Sequence, residues 1–402
     1  MLMRKPQIAW IRHIAWIPIC LGLVLSVACG STSSPASSPA PSKSAAASTS
    51  PAPSASAAAK PSASDDWKAE WDKVVAAAKK EGKVVVAGPR GELYRNAAME
   101  FQKAYPEIKL EFTGVDGGPF APKILAEREG GQFLWDIQQG GSGTMQTELK
   151  PKGILDPIKP ALILPEVKDA SKWLGGDDLA WQDNEKQYIF FLEGRLSFTM
   201  YVNRDIVPVS ELSTYDQLLD PKWKGKIVSA DPRSGSGSSA KSLMYLLAVK
   251  GEDYVRKLIA QDLVLMQGRA IVEALARASS PLGLGVNAAD IEQFQREGVG
   301  KGIQPLNRSE PGGAYMSGGF GNLALINKAP HPNAAKVYIN WLLSKEGQTA
   351  YVQATGNNSR RLDVEGPADS APDPKVKYLD INGEGSIPYR NKVVEIAKEL
   401  IK

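Results

Sequence analysis

Strand-type and helix-type segments alternate at crossover spacing from Asp65 to Leu149, and few folds accommodate that order. Asp65–Lys80 places Trp67, Trp71, Val74, Val75 and Ala78 on one helical face, and Gly82 stops it. A buried-type strand over Lys83–Ala87 follows, then an amphipathic helix over Glu92–Tyr105 that Pro106 closes. Strand, helix and strand patterns continue over Ile108–Phe112, Phe120–Glu129 and Asp136–Gln139. The last runs into Gly140–Thr144 and a helix over Met145–Leu149. Such alternation predicts a doubly wound parallel sheet, whose ligands sit beyond the carboxyl ends of its strands. Those ends are Gly88-Pro89-Arg90-Gly91 and Gly140–Thr144.

A second α/β unit starts near Ser213. Before it, Leu196–Val202 predicts one strand leaving Glu193-Gly194-Arg195. Within the unit, the basic, Trp-bearing Pro221–Pro232 holds a short strand, Ile227–Ser229. It opens through Arg233-Ser234-Gly235-Ser236-Gly237-Ser238-Ser239 into a helix over Ala240–Lys250. The free N–H groups of a first helical turn, together with the macrodipole, favour an anion at such a junction. The same serines also suit a plain helix cap and flexible turn. Leu282–Val286 is a Gly-rich strand leading to Asn287-Ala288-Ala289-Asp290. Asn322–Asn327 is a return strand, followed by a helix over Asn333–Leu343 and a terminal helix near Lys392–Ile401.

Composition narrows the chemistry. The 402 residues are 23% charged and 43% hydrophobic, an ordinary balance for a globular chain of two or three domains. A net charge of +4 without a basic, aromatic-interleaved stripe argues against nucleic acid. The two cysteines, Cys20 and Cys29, lie in the first thirty residues, so the folded part holds no disulfide or cysteine metal site. The two histidines are His13 and His331, too few for most zinc sites and a poor basis for a Ser-His-Asp triad. At the N-terminus, Arg4, Lys5 and Arg12 precede the apolar Ile14–Ala28, the pattern of a signal peptide over residues 1–28. Pro18 interrupts that run and argues against a membrane span. Leu25-Ser26-Val27-Ala28-Cys29-Gly30 resembles a bacterial lipoprotein box, with Ser26 where Leu is usual, and so implies lipidation at Cys29. Residues 29–64 are almost all Ser, Ala, Pro and Thr. They read as a disordered tether that holds the folded part off a membrane surface.

Four segments carry a family resemblance. They are AAAKKEGKVVVAGPRGE (Ala76–Glu92), FTMYVNRD (Phe198–Asp205), Tyr215–Pro232 with PKWKGKI inside it, and ALINKAPHPNAAKVYINWLLSKEGQ (Ala324–Gln348). In that order they resemble the substrate-binding proteins of ABC importers, in the extracellular solute-binding family 1 group that includes ferric-iron binders. The resemblance implies an α/β protein of the type II periplasmic-binding-protein kind: two doubly wound lobes, two hinge strands and a ligand cleft between. Lobe one would take residues 65–195 and 316–402, with the return hinge strand in the second part. The first hinge strand would be 196–202, and lobe two 203–315. It also implies a monomer with a small-molecule ligand, a membrane permease and a cytoplasmic ATPase as partners, no catalysis and no cofactor. The location would be the periplasm or the outer face of the cell membrane.

Ferric binders of the group place paired tyrosines near the strand that here reads Leu282–Val286. The residues that follow hold no tyrosine, and Asp290 alone is too few hard donors. No iron site is therefore expected. The strand-end loops instead offer Arg90, Ser142, Thr144, Arg195, Arg233, Ser234, Ser236 and Asn287 as ligand-binding residues. Guanidinium groups and Gly-Ser backbone suit a small carboxylate, phosphonate or phosphate ester. Trp135, Trp173, Trp181 and Tyr315 could form an aromatic wall or pack in the core, and Asp116 could face a cationic group or hold a turn. Alternatives are a ferric-iron or polyamine binder of the same family, a receptor presenting ligand to a membrane sensor, and a hydrolase using a serine of Ser234–Ser239. Gly235-Ser236-Gly237-Ser238 lacks the nucleophile-elbow spacing, and only His331, between Pro330 and Pro332, could serve as base.

Overall fold

The computed structural model describes residues 66–115, 117–277, 280–368 and 371–402. The leader, Cys29, the tether and Asp116 lie outside the described residues.

Helix α1 (Asp66–Glu81) starts on an acidic residue and carries Lys79 and Lys80 in its last turn, complementing its dipole. Then come β1 (Lys83–Gly88), α2 (Glu92–Ala104), β2 (Lys109–Gly114), α3 (Gly117–Glu129) and β3 (Ile137–Gly140). A short helix, α4 (Ser142–Thr144), runs on as a wider turn through Leu149. It leads to β4 (Leu155–Asp156), the small helices α5 (Pro165–Lys168) and α6 (Gly176–Ala180), and β5 (Ile189–Phe191). β1 pairs in parallel with β2 and with β3, as the crossover spacing requires. Both faces of β1 are covered. Val84 and Val86 pack with α1, α2 and later helices, while Val85 and Ala87 pack with Phe120, Ile124 and Met145. A strand buried on both sides reads as a continuous apolar run, and VVVA is one.

The chain then enters β6 (Arg195–Phe198) and β7 (Met200–Asn203). The sequence predicts one strand here, and the structure has two. At the buried Thr199 the backbone leaves one sheet for another, and the Thr199 Oγ1 is hydrogen-bonded with the Tyr215 hydroxyl, 2.5 Å away. The second unit adds β8 (Ile227–Ser229), α7 (Gly237–Lys250), α8 (Glu252–Ile259), β9 (Val264–Leu265), α9 (Arg269–Ala276), β10 (Leu282–Leu284), α10 (Ala288–Arg296) and β11 (Ile303–Pro305). These strands form a sheet of order β11-β7-β10-β8-β9. Alternate residues again face two cores: Met200, Val202 and Ile227 one way, Tyr201 and Val228 the other.

β12 (Ala314–Ser317) pairs antiparallel with β6, forming a two-stranded ribbon between the sheets. From it, β13 (Asn322–Ile326) returns into the first sheet, which has the order β2-β1-β3-β13-β4, with β5 also on β13. β13 runs antiparallel to β3 because the chain re-enters from the ribbon end. α11 (Pro332–Leu343) and α12 (Lys345–Thr355) then cover the first sheet. The Glu81 carboxylate accepts hydrogen bonds from the N–H groups of Asn333 and Ala334 at the start of α11.

The end of the chain departs from expectation. α13 (Ile387–Leu400) packs on the second sheet's core through Val393, Ile396 and Ala397, against α7 and α8, rather than with the first sheet. Its apolar face requires a partner, and the exposed side of α7 supplies one. The chain therefore passes between the two sheets three times: at β6, at β12 and near Asn382.

Candidate functional site

Four strand-to-helix junctions converge on one cavity of about 870 Å³ between the sheets. It is lined by Gly117 and Gly118 at the start of α3, Gly141 and Ser142 at α4, Ser236–Ser238 at α7, and Asn287 and Ala288 at α10. Each helix follows a strand of its sheet, so its N-terminus lies beyond the strand's carboxyl end. The first-turn N–H groups of a helix lack intrahelical partners and carry positive partial charge. At α7 the cap position is Ser236, whose side chain bonds Ser234 at 3.1 Å and makes no cap bond to the helix.

Charged side chains stand among these termini. Arg195, Lys241, Arg296 and Arg390 line the cavity, as do Glu193 and Glu292. Arg195 Nη2 donates to Glu292 Oε1 at 2.9 Å, tying the ribbon to α10. Lys241, one turn into α7 and half-buried, donates to Asn382 Oδ1 at 2.9 Å. Burial and the neighbouring Arg390 bring its pKa down to about 8. Asn382 is a junction. Its amide donates to Met316 of the ribbon, and its carbonyl oxygen accepts from Ser142 Oγ and Gln146 Nε2 of the first sheet's side. Glu193 is 2% exposed, and its Oε2 accepts from the Tyr351 hydroxyl at 2.8 Å and from Asn357 Nδ2 at 3.3 Å. Burial pushes this carboxyl up to about 7. An edge-to-face pair, Tyr94 and Phe320 with centroids 5.7 Å apart, supplies the aromatic wall.

Of the residues singled out in the sequence, Ser142, Thr144, Arg195, Ser234, Ser236 and Asn287 line this cavity. Arg90 and Arg233 do not. Arg233 is turned back within its own 3₁₀ turn, where its guanidinium grips Asp231 through two nitrogens, at 2.7–3.0 Å. Arg90 is exposed beside Gly114, and the wall behind it comes from Leu93 and Tyr94 one turn later. Trp135, Trp173, Trp181 and Tyr315 are buried in the cores or the ribbon. His331 is bound to the buried Asp136, with Nδ1 and Oδ2 2.9 Å apart, and lies outside the cavity, so it does not serve the serine run as a base. The sequence reading missed Glu193, Lys241, Asn357, Asn382 and Arg390. For Lys241 a signal existed: it lies four residues after Gly237, on the same helical face as the loop.

Comparison with known proteins places this geometry. The family described as bacterial extracellular solute-binding protein matches residues 96–377, well over half of the chain. The chain belongs to that family. It is a solute-binding protein of the ABC-importer type and not an enzyme. An uncharacterized protein of Haemophilus influenzae is 25% identical over 291 residues, 68% of this chain and 77% of that one. Among solved structures, Trichodesmium FutA in complex with iron and citrate superposes with a TM-score of 0.61 at 16% identity, covering 80% of this chain and 99% of that one. AfuA from Actinobacillus pleuropneumoniae, with fructose-6-phosphate bound, gives 0.51 at 20% identity over 80% and 96%. At these identities the structures share the type II periplasmic-binding fold. No helix among the described residues is long and apolar enough to cross a membrane.

Proposed function

We propose that this protein captures a small anionic solute, a carboxylate, phosphonate or phosphate ester, between two lobes that close about the ribbon, and hands it to a membrane permease. The observation that carries this is the convergence of four helix N-termini on one cavity. Oriented backbone N–H groups bind an anion without bringing in a counter-charge of their own. The side chains agree. Four cations (Arg195, Lys241, Arg296, Arg390) face two carboxylates (Glu193, Glu292), an excess of two positive charges. One of those carboxylates, Glu193, has its pKa raised by burial, which reduces its negative charge near neutrality. The C-terminal end of α12, at Thr355 and Gly356, also reaches the wall, and its dipole opposes an anion.

Ferric iron fits this wall poorly. It requires several hard anionic oxygens. Of the candidate donors, Tyr94 is a phenol whose pKa burial pushes up to about 12, and Glu292 is held by Arg195. Among the described residues no group of three or more His, Cys, Asp or Glu side chains comes together. In this reading the protein is a monomer, anchored by a lipid at Cys29 and held off the membrane by residues 29–64, with a permease and its cytoplasmic ATPase as partners.

A thermal-shift panel of phosphate esters, phosphonates, dicarboxylates, polyamines and ferric citrate tests the reading. A ligand at 100 times its dissociation constant adds about 2.7 kcal/mol of apparent stability. Anions are expected to raise the midpoint. A shift with ferric iron supplied free of citrate, and with no anion, overturns the proposal.

A further inference from the structure

Glu193 is a side chain of the cavity whose placement an anion site does not explain. A carboxylate on the wall repels an anion, and burying it costs free energy. Yet the fold is shaped around it. Gly319 and Gly321, in the turn between β12 and β13, have no room for a side chain: a Cβ on Gly319 would collide with Glu193 Oε1, and one on Gly321 with Glu193 Cβ. Tyr351 and Asn357 both donate to Oε2, which fixes the plane of the carboxylate. Oε1 has no hydrogen-bond partner among the described residues, in a side chain that is 98% buried and lines the cavity. An acceptor whose twin oxygen is held rigidly, on a side chain that lines the cavity, is placed to receive a donor.

We infer that Glu193 Oε1 accepts a hydrogen bond from the ligand, so that the solute is a small anion carrying a hydroxyl or ammonium group besides its anionic head. The inference rests on the anion reading above. In it the helix N-termini and Lys241 hold the head, and Glu193 selects among anions by what else they carry. An anion without a donor leaves Oε1 desolvated and unpaired, and sites built to hydrogen-bond a ligand group discriminate strongly against analogues that lack it.

Three phosphate monoesters of equal chain length separate the outcomes: ethyl phosphate, 2-hydroxyethyl phosphate and 2-aminoethyl phosphate, titrated calorimetrically into the purified protein. The hydroxyl or ammonium ester is expected to bind at least about tenfold more tightly than ethyl phosphate. In Glu193→Gln the amide oxygen is drawn to Tyr351 and Asn357, and the NH₂ faces the cavity. There the preference is expected to collapse to about one, while ethyl phosphate binds more tightly than to the wild type because the repelling charge is gone. A second readout needs no variant. Glu193 faces Arg195 on β6, Lys241 on α7, Tyr351 on α12 and Tyr94 on α2. As it ionises, the preference of the wild type for the aminoethyl over the ethyl ester should grow as pH rises through about 7. Equal affinities for all three esters, or a preference that survives Glu193→Gln, overturn the inference while the anion reading stands. Binding of none of them, with no response to carboxylates or phosphonates either, removes the anion reading and this inference together.

Discussion

At the scale of single residues, the cavity holds two groups whose ionisation is shifted in opposite directions, and each leads to a pH dependence of known sign. Lys241 has its pKa brought down to about 8, so it is charged below that pH and neutral above it. An anion bound beside it favours the charged form. Affinity for a phosphate monoester should therefore fall by about tenfold between about pH 7.5 and pH 9. In Lys241→Met the affinity should be lower throughout and nearly flat over that range. A wild-type affinity unchanged across the window would show that Lys241 does not touch the anion. Glu193 acts on stability as well as on ligand preference. Its carboxyl, raised from 4.5 to about 7, keeps its proton in the folded state at pH values where the unfolded chain has lost it. Stability from this group therefore declines as pH rises from about 4.5 and levels off above 7, by an amount on the order of 3 kcal/mol. Glu193→Gln removes the loss. Its urea midpoint should exceed that of the wild type at pH 8, and the gap should close toward pH 4.5. A variant less stable than the wild type at pH 8 would show that the carboxylate is held by more than Tyr351 and Asn357. A wall group that lowers stability at the working pH is the usual signature of function over fold.

At the scale of elements, the site depends on how closely α7 approaches the turn after β10. Gly285 has φ +61° and lies against the backbone of Ser238 and Ser239, so a Cβ there would collide with the helix. Ser239 fixes the same contact: its hydroxyl donates to Leu284 O at 3.0 Å and accepts from Ala230 N–H at 3.1 Å. Gly285→Ala must push the starts of α7 and α10 apart. It is expected to lower stability by more than about 2 kcal/mol and to weaken anion binding at least tenfold. Gly237→Ala is the control. Its φ is +79°, but nothing lies within 4 Å of its Cβ, so only about 1 kcal/mol of backbone strain is expected. Equal losses in the two variants would mean that strain, not the contact, sets the cost. These elements also show what could be read from the chain. VVVA at β1 and the glycine-serine turns behind β3 and β8 are local patterns: the first marks a strand covered on both faces, and the two turns mark strand ends that reach the cavity. Arg233 was misplaced because Asp231, two residues earlier, captures it in a turn whose geometry the sequence does not specify. Glu193, Asn357 and Asn382 could not be found by pattern. Glu193 meets Asn357, 164 residues later, and Asn382 meets Ser142, 240 residues earlier, only because the chain leaves the first sheet and returns to it.

At the scale of the whole molecule, the third crossing changes what the end of the chain does. Residues up to Ser386 pack on the first sheet's side, where the Asn382 carbonyl accepts from Ser142 and Gln146. α13 then buries Val393, Ile396 and Ala397 in the second sheet's core and carries Arg390 to the cavity wall. At Gly235 the turn and the helix touch: a Cβ there would fall 2.8 Å from Val394 Cγ2 and 3.3 Å from Arg390 Cγ. The terminal helix thus buttresses the loop that opens α7, and it belongs to the binding site as well as to the core. A chain ending at Ser386 should lose the apolar burial of α13, on the order of 5 kcal/mol from Val393 and Ile396 and their neighbours. The second unit should unfold at lower urea than the first, splitting a single transition into two. Anion affinity should fall with it, since Arg390 is gone and the α7 loop is unsupported. Arg390→Met in the full chain separates these effects: it should weaken the anion while leaving a single transition at nearly the wild-type midpoint. If the truncated chain unfolds as the full one does and binds as well, α13 is a passive tail, and the third crossing has no part in holding the site together.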